Sequence, residues 1–107
     1  MKTGIIITFY NQENKINKQK VINFLKHSKH VHLCLINNGS TDNTISALEE
    51  LKEAFPKNIT IGNIKNHKGT VAVLRIGFRL LMKIEKINSL GYSSELNENK
   101  LEALCDL

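Results

Sequence analysis

Three apolar, strand-like runs, each followed by a stretch with helical apolar spacing, constrain this chain more than any other feature. The first run, Gly4-Ile5-Ile6-Ile7-Thr8-Phe9, is β-branched without alternation, the pattern of a strand covered on both faces. A helix is expected over about residues 12–28, where Ile16, Val21, Phe24 and Leu25 recur at three- and four-residue spacing. Val31-His32-Leu33-Cys34-Leu35-Ile36 reads as a second strand, followed by a helix that buries Ile45, Leu48, Leu51 and Phe55 and stops at Pro56. The third strand is Ile59 to Ile64, and a helix over about residues 70–87 is expected to bury Val71, Leu74, Phe78, Leu81 and Met82. Alternation of this kind packs most simply as a three-layer α/β domain, a parallel Rossmann-like βαβαβα unit with helices on both faces. With 107 residues and 41% hydrophobic side chains, residues 1–107 make one domain with no room for a second.

Ligands of such sheets bind outside the carboxyl ends of the strands. Here those ends are Thr8 to Glu13, Asn37 to Asp42 and Lys65 to Gly69, which are polar and rich in Asn and Gly. Several nucleotide signatures are absent: no GxGxxG follows the first strand, and Gly62 to Thr70 lacks Walker spacing. The four histidines show no HxxxH or HExxH pattern, and Cys34 and Cys105 form no CxxC, so neither a histidine metal site nor a redox pair is expected. Charge is uneven. Residues 1–30 and 58–86 each carry +5, residues 31–57 carry −2 and residues 87–107 carry −3. The basic segments could attract an anion such as a phosphate or could be solvated helix faces. Nucleic-acid binding is not expected, because none of the six aromatic residues interleaves with the lysines. No apolar run is long enough for a transmembrane segment or a signal peptide, which together with two cysteines makes a cytoplasmic location the expectation.

The three loops resemble those of family 2 glycosyltransferases, whose GT-A fold binds nucleotide-diphosphate sugars. Tyr10, Asn11 and Glu13 match a Pro-x-Tyr-Asn-x-Glu-like turn, and Gly39, Ser40 and Asp42 match an Asp-Asp-Gly-Ser-x-Asp segment in which Asn37 and Asn38 replace the acids. His67-Lys68-Gly69, with Ala72, Arg75 and Gly77 behind it, follows the spacing of the third motif. The resemblance implies the nucleotide-sugar-binding half of such an enzyme over residues 4–82, with Phe9, Tyr10, Glu13, Asn38, Gly39, Lys68, Gly69 and Arg75 as nucleotide-binding residues. The donor would be a nucleotide-diphosphate sugar. Tyr10 offers a face for a base or is a half-buried strand-end aromatic, while Lys68, Arg75 and the helix start at Thr70 form a diphosphate cradle. Arg75 reads equally as an exposed helical charge, and Asp42 as a helix cap.

The resemblance fails after Gly77. Family members continue to a strand ending in an Asp-x-Asp that holds a divalent metal, such as Mn or Mg, and then to an acceptor-binding half. Leu90-Gly91-Tyr92 looks like the start of that strand, but Ser93-Ser94-Glu95 stands where the acids belong, so no catalytic residue is assigned and the metal is left open. Glu95, Glu98, Glu102 and Asp106, with Leu101 and Leu104 between them, fit an acidic amphipathic terminal helix or a relocated metal site. The expectation is a truncated glycosyltransferase-like domain, incomplete for catalysis alone and acting with a partner chain. The alternative is a non-enzymatic nucleotide-binding or protein-interaction module. Loss of the metal-site strand would also leave Gly4 to Phe9 as an apolar sheet edge that invites a homodimer or hetero-complex.

Overall fold

The computed structural model describes residues 2–84 and 87–93. Strand β1 (Lys2–Phe9) leads through helix α1 (Lys18–His27) to β2 (Val31–Asn38), and α2 (Thr44–Ala54) leads to β3 (Ile59–Ile64). The chain then crosses back through α3 (Thr70–Met82) to β4 (Ile87–Ser93). All four strands are parallel, in the order β3-β2-β1-β4. The α/β class and the parallel helix-covered sheet expected from the sequence are what the chain forms.

The strand period of two divides the core. Ile5, Ile7, Phe9, Leu33 and Leu35 face one side and pack with Val21, Phe24 and Leu25 of α1 and Leu48 and Leu51 of α2. Ile6, Cys34 and Ile36 face the other side, against Val73 and Leu81 of α3. Because both faces are covered, the strands need no polar alternation, which is why Gly4 to Phe9 reads as a continuous apolar run.

Three expectations are corrected. α1 begins at Lys18 rather than near residue 12, because Asn17 caps it by accepting from the Lys20 N–H at 3.1 Å, and the preceding residues instead serve the loops described below. α3 ends at Met82 rather than Ile87, since Ile87 already opens β4, and its buried face is Val73, Gly77 and Leu81, which leaves Val71, Phe78 and Met82 exposed rather than buried. The sheet has a fourth strand, and β1 is not an edge: Gly4 lies opposite Leu90, Ile5 opposite Gly91 and Ile7 opposite Ser93, with a register shift at Lys2/Thr3. Asn88, Ser89 and Gly91 are poor strand formers, but pairing with the backbone of a buried strand outweighs their weak intrinsic preference. The physical ground for dimerisation through β1 is therefore removed. The expected acidic terminal helix, with Glu95, Glu98, Leu101, Glu102, Leu104 and Asp106, lies outside the described residues, as does Cys105.

Candidate nucleotide-binding cleft

At the carboxyl ends of β1 and β2 three loops are tied together by side chains. Asn11, at φ 50°, accepts from the Thr41 N–H at 2.8 Å, and its own N–H donates to Ser40 Oγ at 3.0 Å. The Gln12 N–H donates to Thr44 Oγ1 at 2.9 Å. Glu13 Oε1 accepts from the Asn43 N–H at 2.7 Å, at the start of α2, where a carboxylate also meets the positive end of the helix dipole. Asp42 accepts from the hydroxyl and N–H of Thr44 and from the Glu13 N–H, and its hydrogen bond from the Thr44 hydroxyl leads in holding its carboxyl below the usual range. Asp42, one residue before the N-cap Asn43, thus takes the first N–H of α2, and Glu13 clamps the first loop to the second.

Asn38 ends β2 and is 5% exposed. Its Nδ2 donates to the Lys68 carbonyl at 2.9 Å, while its Oδ1 accepts from the Lys68 N–H at 2.9 Å. This two-point pairing requires a carboxamide: a carboxylate could accept from the N–H but would face the carbonyl oxygen without a donor. Its neighbour Gly39 has φ +70°, and a Cβ there would lie 2.3 Å from the His67 nitrogen and 2.8 Å from Asn66 C, so both the conformation and the passing backbone demand glycine. Asn37, also buried, donates to Asn63 Oδ1 at 2.9 Å and accepts from the Ser40 hydroxyl at 2.5 Å.

The result is a cleft of about 410 Å³ lined by Thr8, Tyr10, Asn38, Lys68, Gly69 and Thr70, with Gln12, His67, Val73 and Tyr92 completing its wall. Tyr10 is 47% exposed, and its ring centroid lies 4.3 Å from that of His67 at an interplanar angle of 58°. His67 Nδ1 lies 3.0 Å from the Asn38 carbonyl, which can only accept, so Nδ1 carries the hydrogen and Nε2 is left for another partner. α3 starts at Gly69 without a side-chain cap, leaving the first N–H groups of the helix beside Lys68, an arrangement suited to an anion.

Of the residues expected in a site, Tyr10, Asn38, Lys68 and Gly69 meet in this cleft. Gly39 shapes the turn behind it. Phe9 is 1% exposed and its side chain belongs to the α1/α2 core, so only its backbone can reach a ligand. Glu13 is turned to Asn43, and Arg75 lines a separate groove with Phe78 and Leu90. His67, matched in the third motif but given no role by it, also lines the cleft, as do Thr8, Gln12, Val73 and Tyr92. The family resemblance implies a divalent metal; among the described residues no three His, Cys, Asp or Glu side chains converge.

Comparison with known proteins bears on the family and the fold. The chain is 30% identical over 107 residues to the minor teichoic acid biosynthesis protein GgaA of Bacillus subtilis (strain 168), a match covering 96% of this chain and 24% of that protein. Its fold is similar to that of S. aureus TarS 1-349, with a TM-score of 0.66 and 15% identity over 99% of this chain and 32% of the other. The same S. aureus protein in complex with UDP gives a TM-score of 0.67 at 17% identity, covering 99% and 31%. The chain therefore spans about a quarter to a third of the length of these proteins. The profile of glycosyl transferase family 2 matches residues 4–81, which take in β1, β2, β3, their loops and nearly all of α3, and the chain accordingly belongs to that family.

Proposed function

We propose that this chain is a nucleotide-diphosphate-sugar-binding half of a family 2 glycosyltransferase, incomplete for catalysis alone. The observation that carries this reading is the convergence of Tyr10, Asn38, Lys68 and the uncapped start of α3 on one cleft at the strand ends. Tyr10 and His67 offer π faces to a base, while the Lys68 ammonium and the free N–H groups at Thr70 take the diphosphate. Similar S. aureus structures hold UDP and UDP-GlcNAc, which supports a nucleotide-sugar donor here. Asn38 acts on the ligand through the loop it holds. Its amide keeps Lys68 and the helix start in place, and Phe9, Glu13 and Gly39 support the same three loops. Sugar transfer is assigned to the full family 2 enzyme, of which these residues supply the donor side, in the reducing cytoplasm. Among the described residues no helix is long and apolar enough to cross a membrane.

Titration of the ¹⁵N-labelled chain with UDP, and separately with GDP, tests the proposal. Amide shifts are expected to cluster in residues 8–12, 38–40 and 67–73. Lys68→Ala should weaken binding by roughly tenfold, for about 1.5 kcal/mol from one charge-assisted hydrogen bond. Asn38→Asp should weaken it while shifting the Lys68 and Gly69 amides even without ligand. No shift at millimolar nucleotide, or shifts centred elsewhere, would overturn the assignment.

A further inference from the structure

His67 is fixed both by its backbone and by its ring. The backbone passes so close to Gly39 that a Cβ there would meet the His67 nitrogen at 2.3 Å and its Cα at 2.8 Å, and Nδ1 is held on the Asn38 carbonyl at 3.0 Å. The residue is nonetheless exposed at the wall of the nucleotide cleft, and among the described residues no hydrogen-bond partner meets Nε2. Because Nδ1 carries the hydrogen, Nε2 of the neutral ring presents a lone pair, held in advance in one orientation. The other polar features that face an anion here, the Lys68 ammonium and the first N–H groups of α3, all donate. Phosphate oxygens can use those donors but not Nε2, which calls for a hydrogen from another portion of the ligand.

Tyr10 determines which portion that is. The Tyr10 and His67 ring centroids lie 4.3 Å apart with their planes tilted by 58°, so a flat group cannot lie parallel to both. Stacked on the larger face of Tyr10, it meets His67 with its rim. Asn38 is not free to read that rim, since both ends of its carboxamide are engaged by the backbone of Lys68. We propose that His67 Nε2 reads the nucleobase by accepting from a ring N–H, an assignment that rests on the nucleotide binding proposed above and adds the atom that chooses the base. The bases selected are those with an imide or lactam N–H, as in uracil or guanine. In cytosine and adenine the corresponding ring nitrogen is itself an acceptor and brings lone pair against lone pair. A site built around one hydrogen bond discriminates in this way because a ligand without the matching group leaves a protein atom unpaired.

Titration of the chain in mildly alkaline buffer with UDP and with GDP separates the two sources of the N–H. Each is compared with its ring-methylated form, 3-methyluridine diphosphate or 1-methylguanosine diphosphate, in which a methyl group replaces the hydrogen. The nucleotide that binds is expected to lose roughly tenfold in affinity on methylation, the worth of one hydrogen bond. His67→Phe keeps an aromatic ring without the acceptor, and in that variant the loss should shrink to less than about twofold. Should the variant fail to fold, the imidazole ¹⁵N spectrum of the unsubstituted chain decides: the Nε2 resonance should move with the unmethylated nucleotide and stay put with the methylated one. Equal affinity for the two forms, a methylation loss that persists undiminished in His67→Phe, or an unmoved Nε2 resonance would overturn the role of His67. Those outcomes leave the proposed function standing wherever amide shifts still cluster in residues 8–12, 38–40 and 67–73. Failure of both UDP and GDP to bind would instead sink the two together.

Discussion

His32 sits in β2 at the end of the sheet away from the cleft, 4% exposed, with Nε2 2.7 Å from Thr60 Oγ1. Burial, then the nearby Lys2 and to a smaller extent Lys52, hold its pKa below the ordinary 6.5. The folded chain therefore keeps the ring neutral, while the unfolded chain takes up a proton as pH falls through 6.5. Stability is full above that value and declines below it. Urea unfolding between pH 7.5 and 5 should show this slope, and His32→Gln should flatten it. Asp42 acts in the same direction but only near its ordinary 3.8 and below, so the two losses are separable. A local role was legible beforehand at Asp42, read from the sequence at the start of the second helix, where it takes the Thr44 N–H. The duties of Asn38, Glu13 and His67 were not, because each depends on a partner about 30 positions away, which no local spacing reveals.

Among the elements, the seam between α3 and β1 is the most demanding. A Cβ on Gly77 would lie 2.8 Å from Ile6 Cγ2, 2.9 Å from Cδ1 and 3.0 Å from Cγ1, and two of those atoms are attached directly to Ile6 Cβ and cannot swing away. Gly77→Ala should gain about 1 kcal/mol in helix preference yet lose more by lifting α3 from the sheet, for a net destabilisation of about 1–2 kcal/mol. In an Ile6→Ala background the same change should become neutral or stabilising, which a double-mutant cycle by chemical denaturation would measure. Strand and helix identities were readable from period and composition, since β1, β2 and the core faces of α2 and α3 carry strong patterns. The beginning of α1 was not: Ile16 extends the apolar stripe, but Asn17 takes the cap and frees residues 10–16 for loop contacts. β4 was half-seen for the opposite reason, as Asn88, Ser89 and Gly91 hide a strand that its neighbour's backbone creates.

At the scale of the molecule, β1 and β2 are each flanked by two parallel strands, and β3 and β4 are the outer ones. Amide exchange should accordingly be slowest for Ile5 to Ile7 and Leu33 to Leu35, approaching the rate set by global unfolding, and faster by about tenfold or more along β3 and β4. Rapid exchange across Ile5 to Ile7 would mean that β4 does not close the sheet in solution. The topology itself was legible up to the third strand, because right-handed crossovers leave few ways to stack three strand–helix units. What eluded reading was closure of the far edge, a consequence of pairing rather than of pattern.

Asn38 and Gly39 together form the dipeptide in which a side-chain amide is lost most readily, because an unhindered glycine nitrogen can attack the carboxamide carbon and expel ammonia. In this fold the attack is blocked chemically as well as sterically. The carboxamide spans both backbone groups of Lys68, and the ring cannot close until both bonds let go. A molecule that stays folded keeps a neutral amide at the floor of its cleft, whereas in one that unfolds repeatedly the imide ring forms, water opens it, and the carboxylate left behind no longer matches the Lys68 carbonyl. The charge at this single position is thus a chemical clock that runs only while the chain is open.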